Sequence, residues 1–517
     1  MAMNRKKRIS MKKQTKEKGS ALILSMILVL VLSVMATSMM FLSQSETIGS
    51  MNYRLMTQAR YGAEAGLHSA ANYLMNTYQS PGDTTDPLSA YGTYSQAQPV
   101  NYNGTPVVLS SITSGDADDA PNYPVSSVQS GFASNAQGTL AAGATTVNYS
   151  ASATLLTMQQ ITVFGSTTPQ TVQKWLITGR GTIADVRNAT VEVSAVMEQM
   201  VSPMFNYAAF AQSNFCQSLD FGGGGGTNSY DSRTAGTPTF VNTGGNVGTN
   251  GAMIIQGNVT IGGNLSAPRS GSTTQSNQCP AGTVASSIAL IDVGGATLTG
   301  SITELPQPVT YPTLTVPAPG TVNLDLKKAG TDCALISTCS GPTTSGGNTV
   351  YTLSPGNYGD ILGDGTKVTI NLTAGTYNIN AICSSSSPAF NIVSGPVILN
   401  VTGNPANLSS STCGNPIDFS AQTTITNSTG SWDPGMLQMI YEGTGNVNLA
   451  GGAQAMGLVY APNATVKFVG GSEWYGSVIA NNITDMGGVA IHYDRKLQSE
   501  YFTRGNYMLH SFSWSRN

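Results

Sequence analysis

The chain has 517 residues, and only 9% of them are charged, against about 25% in an ordinary globular domain. So few charges exclude the surface of a typical soluble enzyme, a nucleic-acid binder and a charge-rich disordered tail. The length allows about two to four domains, and 58 glycines among many Ser, Thr and Asn point to mainly β structure with many turns.

The charge is unevenly placed. Arg5, Lys6, Lys7, Arg8, Lys12, Lys13, Lys16 and Lys18 crowd the first stretch, with Glu17 as its acid, whereas the whole chain carries −3. From Gly19 to Ser45 there is no charged residue. Ala21 to Leu42 is mostly Leu, Ile, Val and Met, interrupted by Ser25, Ser33, Thr37 and Ser38. About 20 apolar residues cross a bilayer, and a basic flank marks the cytoplasmic side. The segment is longer than the apolar core of a secretory signal peptide.

The helical pattern continues past the membrane. Ile48, Met51, Leu55, Ala59, Ala63, Gly66, Ala70 and Leu74 recur at steps of three and four, one face of a helix. Ser80-Pro81-Gly82 stops it. One helix over 20–78, membrane-spanning in 20–42, is expected, about 88 Å long. Its amphipathic half needs a partner.

The basic leader 1–19, then Lys18-Gly19-Ser20 and an apolar helix, resembles the processing site of type IV prepilins. The wider stretch from Gly19-Ser20-Ala21-Leu22-Ile23 through Glu46 to Gln58-Ala59-Arg60-Tyr61-Gly62-Ala63-Glu64-Ala65-Gly66-Leu67 is similar to the PilX N-terminal family of minor pilins. The resemblance implies cleavage between Gly19 and Ser20 by a prepilin peptidase. It also implies packing of Leu24, Glu46, Leu55, Ala59, Ala63, Glu64, Gly66 and Leu67 against other minor and major pilins. The expected location is a bacterial inner membrane, single-pass, before assembly, and then a pilus, extracellular or periplasmic. Met11 would give a leader of the usual length. Major pilins carry Glu at the fifth mature position; here that position is Leu24, as in PilX-type proteins and the tip pseudopilin of type II secretion. The implied role is pilus assembly or priming at or near the filament tip. The alternatives are a tip-displayed adhesin with a surface or polysaccharide ligand, and a pseudopilin.

Residues 79–205 read as a pilin-like β region. Val107–Leu109, Thr145–Tyr149, Ile161–Phe164, Trp175–Thr178 and Thr190–Val196 are rich in β formers. The last two form an expected hairpin that covers the exposed half of the helix. Asp116, Asp118 and Asp119 leave calcium open as the one cofactor, without an EF-hand pattern; no other cofactor or metal is expected.

Gly222 to Gly226 lack the lysine of a phosphate loop, so 206–234 reads as a Gly-rich joint or tight turn. Ser229-Tyr230-Asp231-Ser232-Arg233 looks like a motif of large PilX-type proteins. Beyond it, over 235–517, short β runs alternate with Gly-Asn corners, as at Gly245, Gly257, Gly263 and Gly445. This fits a parallel β-helix or solenoid, with Asn ladders replacing charge; a β-sandwich is the alternative. Residues 301–321, with Pro306, Pro308, Pro312, Pro317 and Pro319, are expected to form an extended excursion from the core. Gly457–Phe468, Glu473–Ala480 and Ile491–Asp494 resemble the solenoid-like domain found with PilX-type N termini. Cys216, Cys279, Cys333, Cys339, Cys383 and Cys413 are even in number and contain no Cys-x-x-Cys pair, which fits disulfides over zinc, with the pairing open. Asp360 and Asp364 could be a glycosidase pair, but Asp also favours turns. No enzyme activity is expected.

Overall fold

A computed structural model describes residues 20–78, 98–112, 119–142, 145–165, 170–184, 188–404, 413–420, 423–450, 455–469, 473–485 and 488–516. The chain folds as one long apolar helix followed by mainly β structure, in two units. The first comprises Met1–Met158, Gln173–Glu198 and Tyr507–Asn517, and the second Gln159–Val172 and Gln199–Asn506.

In the first unit the helix α1 runs over Ser20–Asn76, 57 residues. It lies against a six-stranded sheet whose main path is Val108–Ser110, Thr145–Ile161, Gln170–Ile183, Ala189–Pro203 and Phe502–Arg516. The expected hairpin is present: Trp175 faces Met197 and Gly181 faces Val191 in antiparallel register. Both strands alternate buried and half-buried residues, so one face packs inward and the other meets water. Ile161–Phe164 is not a strand of its own. Ile161 ends the long strand, and buried Phe164 instead packs in the second unit, 4.8 Å from Phe205. Several elements escaped the sequence reading, two of them with large consequences. Helix α2, Ser126–Asn135, brings Phe132 edge-on to Tyr73 at 5.6 Å, and Phe502–Arg516 returns to this sheet rather than extending the solenoid.

The second unit is a stack of parallel strands, which excludes the β-sandwich. A 23-stranded sheet winds through it, with a 5-stranded sheet on a further side. The order of the stack differs from the order of the chain. Leu324–Lys327 pairs with Asp360–Asp364, that with Ala381–Ser385, and so on through Ile417–Asp418, Asn446–Ala450, Ala455–Val469 and Glu473–Asp485. Glu473–Asp485 then pairs with Ala209–Ala211 and Leu219–Gly222, which continue into Val247–Thr249 and Met253–Gln256. The chain therefore enters the stack in the middle, builds to one end near Ile302–Glu304, crosses to the other end at Leu324 and builds back.

The proline-rich stretch makes that crossing as a strap. Val309 exchanges hydrogen bonds with the Asn250 side chain at 2.8 and 2.7 Å. Tyr311 meets Phe210 ring to ring at 5.2 Å, the Tyr460 hydroxyl donates to the Pro312 carbonyl, and the Leu314 N–H donates to Glu442 Oε1 at 2.8 Å. Register explains what the strap covers. Asn357, Asn378 and Asn400 form a ladder through amide bonds of 2.8 and 2.9 Å. The same column continues as Ile440, Tyr460, Ile479 and Phe210. Those four are buried, and Tyr311 and Leu314 pack against this core. Neutral ladders also occur at the corners, where Asn246 and Asn264 each accept from a backbone N–H of the next coil at 2.9 Å. Neutral stacking removes the need for counter-charges.

Burial raises the Glu442 carboxyl above its ordinary value, opposed by the Leu314 bond. The folded chain then holds this proton more tightly than the unfolded one. The group's contribution is complete below the unfolded pKa and is lost as pH rises through the folded value. Glu442→Gln keeps an acceptor for Leu314 and removes the titration. Its denaturation midpoint relative to the parent is expected to rise between about pH 4 and about pH 7, and an unchanged difference would contradict this.

The 206–234 joint is corrected. This stretch holds the strands Ala209–Ala211, Leu219–Gly222 and Gly226–Tyr230, and the glycine run is the tight turn between the last two. Gly223 and Gly224 adopt φ of +76° and +105°, and a Cβ on Gly225 would strike the Val489 carbonyl.

Candidate functional site

Two surfaces of α1 carry the chemistry. From Leu22 to Leu42 its large apolar side chains are exposed, Leu24 by 71%. Ser25 and Ser33 donate to Leu22 and Leu30 carbonyls at 2.8 Å, so the hydroxyls are satisfied within the helix. An exposed, uncharged, self-satisfied helix suits lipid. Gly19 lies outside the described residues, and Ser20 is the first helical residue.

The second surface is a seam with the sheet. Leu55, Ala59, Ala63, Gly66, Leu67, Ala70 and Leu74 are buried, whereas Ile48, Met51 and Glu46 are exposed. Glu64 is half-buried and pairs with Arg60 at 2.9 Å. Small residues face small residues. A Cβ on Gly62 would lie 2.5 Å from a Val147 methyl, and one on Gly66 2.6 Å from the Ser150 carbonyl. On the sheet, a Cβ at Gly179 or Gly181 would strike the carbonyl of Ala63 or Ala59. Glycines on both sides bring helix and sheet backbones together. Gly49, by contrast, faces open space.

The cysteines pair as Cys216–Cys279, Cys333–Cys339 and Cys383–Cys413. The first is buried with Ile254 and Ile291, the last with Ala381. Asp360 and Asp364 occupy opposite ends of one strand, about 13 Å apart along it, wider than a glycosidase pair. Asp360 is buried and accepts from Asn380 at 2.7 Å. Asp116 and Asp118 lie outside the described residues, while Asp119 accepts from Ser152 at 2.6 Å. Among the described residues no group of three or more His, Cys, Asp or Glu could hold a metal.

The Ser229–Arg233 motif sits where the early and late chain segments meet. The Tyr230 hydroxyl donates to the Trp432 carbonyl at 2.8 Å and the Ser232 N–H to Asp494 at 3.1 Å. Arg233 holds the Asp231 carboxyl down to about 2. Burial pushes His492 towards its neutral form, and its Nδ1 is 2.6 Å from Asn228 Oδ1.

These features define a long N-terminal helix, exposed and apolar in its first half and packed on a β-sheet in its second, in a chain that also carries a parallel β-solenoid. Residues 18–68 match the PilX N-terminal family, and residues 344–500 match a domain family of unknown function, DUF7305. The resemblance to PilX-type minor pilins read from Gly19 to Leu67 therefore stands, and with it a type IV pilin-like role. No curated protein matches the chain. Among solved structures, the competence-associated pilin ComZ from Thermus thermophilus aligns at 14% identity over 90% of this chain and 98% of its own, with a TM-score of 0.31.

Proposed function

We propose that the chain is a minor pilin, cut between Gly19 and Ser20 by a prepilin peptidase, held in the inner membrane and then assembled with other pilins at or near the filament tip. The observation that carries this is the single helix Ser20–Asn76, exposed and apolar in one half and seamed to a sheet in the other. Leu24 supports the tip position. An acid within the bilayer at this position would need a cationic partner on an earlier subunit, and a leading subunit has no such neighbour. The charge-poor, Asn-ladder-bearing solenoid supports a display role, with a surface or polysaccharide as the ligand class.

Immunogold labelling is expected at filament ends; label spread along the shaft would contradict the tip position. Assembly and display separate by excising the solenoid. The Met204 N–H donates to the Tyr501 carbonyl at 2.8 Å, so an Asn-Gly turn joining Met204 to Tyr501 removes 205–500 and keeps the last strand. Filaments are expected to form with this variant while surface attachment fails. Attachment at the parental level would overturn the display role.

A further inference from the structure

We propose that residues 473–485 and 488–516 act as a closing clasp, so that only a chain that includes them presents a finished sheet for assembly. This rests on the pilin reading above.

The clasp closes the solenoid first. Glu473–Asp485 and Ala490–Asp494 are the last solenoid strands made, yet they pair with strands made far earlier. Val478 to Ala480 align with Ala209 to Ala211, Ile483 to Asp485 with Leu219 to Phe221, and Ala490 to Asp494 with Gly226 to Tyr230. Side chains rivet the same junction. Ser477 donates to the Tyr207 carbonyl and Tyr493 to the Phe205 carbonyl, both at 2.6 Å, and buried Asp494 accepts from Ser232. Before these residues arrive, both halves of the stack end on open strand edges.

The same segment then completes the pilin-like sheet. The path of that sheet ends with Ala189–Pro203 followed by Phe502–Arg516. Tyr507 and Leu509 pack against the apolar core that includes Leu55, Ala59 and Ala63 of α1. His510 lies 3.1 Å from Glu198, which also pairs with Lys174 at 2.8 Å. Without the last strand, the edge of Ala189–Pro203 has unpaired N–H and C=O groups.

The test is hydrogen exchange on the detergent-solubilised chain lacking residues 502–517, with and without a synthetic peptide of that sequence. Protection of amides in Ala189–Pro203 is expected to fall at least about tenfold, solenoid amides to stay protected, and the peptide, but not a scrambled one, to restore the loss. The full-length double variant Tyr507→Ser and Leu509→Ser is expected to reproduce the loss at Ala189–Pro203, and both altered chains to be missing from filaments. Unchanged protection of Ala189–Pro203 in both, or incorporation into filaments at the parental level, would overturn the clasp. If the unaltered chain itself is absent from filaments, the pilin reading fails, while the exchange result still decides whether the strand completes the sheet.

Discussion

Gly181→Val is expected to unseat α1 from its sheet. A Cβ at Gly181 would overlap the Ala59 carbonyl and lie 2.6 Å from the Ala63 N–H. Those atoms belong to helix backbone and cannot rotate away as a side chain can. The branched valine adds two further carbons at the closest point of the seam. Overpacking of this kind costs on the order of 3 kcal/mol, which lowers the melting temperature of a unit this size by roughly 10 °C. The seam is also where the amphipathic half of the helix packs on its sheet, so filaments are expected to lack the variant. Gly49→Val serves as the control, because nothing lies within 4 Å of its Cβ position. Thermal denaturation of both chains in detergent decides the matter. Equal melting temperatures would show that the seam is not close-packed.

The second large effect is expected at Gly19. A peptidase that cuts after glycine at the membrane face needs a residue with no side chain at that position. Gly19→Leu is expected to leave the basic leader on the chain and to abolish assembly, without changing membrane insertion, since the helix and its positive flank are untouched. Mass spectrometry of the membrane fraction reads the outcome. A variant of normal mature mass would contradict the prepilin reading.

The helix was legible because two periodic signals run through it, an unbroken apolar span and then apolar residues at steps of three and four. Its seam was partly legible. Leu55 to Leu74 followed from the pattern, but the pairing of Gly62 and Gly66 with Val147 and Ser150 depends on which strand arrives there. Ile48 and Met51 fit the same stripe and lie exposed, because periodicity shows a face without showing where its cover ends. The solenoid was legible in its strands and its Asn ladders. Its order was not, since Ala209–Ala211 looks like any short run and nothing local says that its neighbour lies near Val478. The strap was read as an excursion because proline content reports extension and is silent about contact. Residues 507–516 were assigned to the wrong unit for the same reason: Tyr507 and Leu509 alternate as in any edge strand.

The central claim is that this chain is a processed pilin-type subunit rather than a protein with a cleaved signal or an uncut anchor. Sequencing the amino terminus of the mature protein from the envelope tests it most directly. The account predicts Ser20 as the first residue, with Ala21-Leu22-Ile23 following. A chain that still carries the basic leader, or one that has lost the apolar segment 20–42, would contradict it.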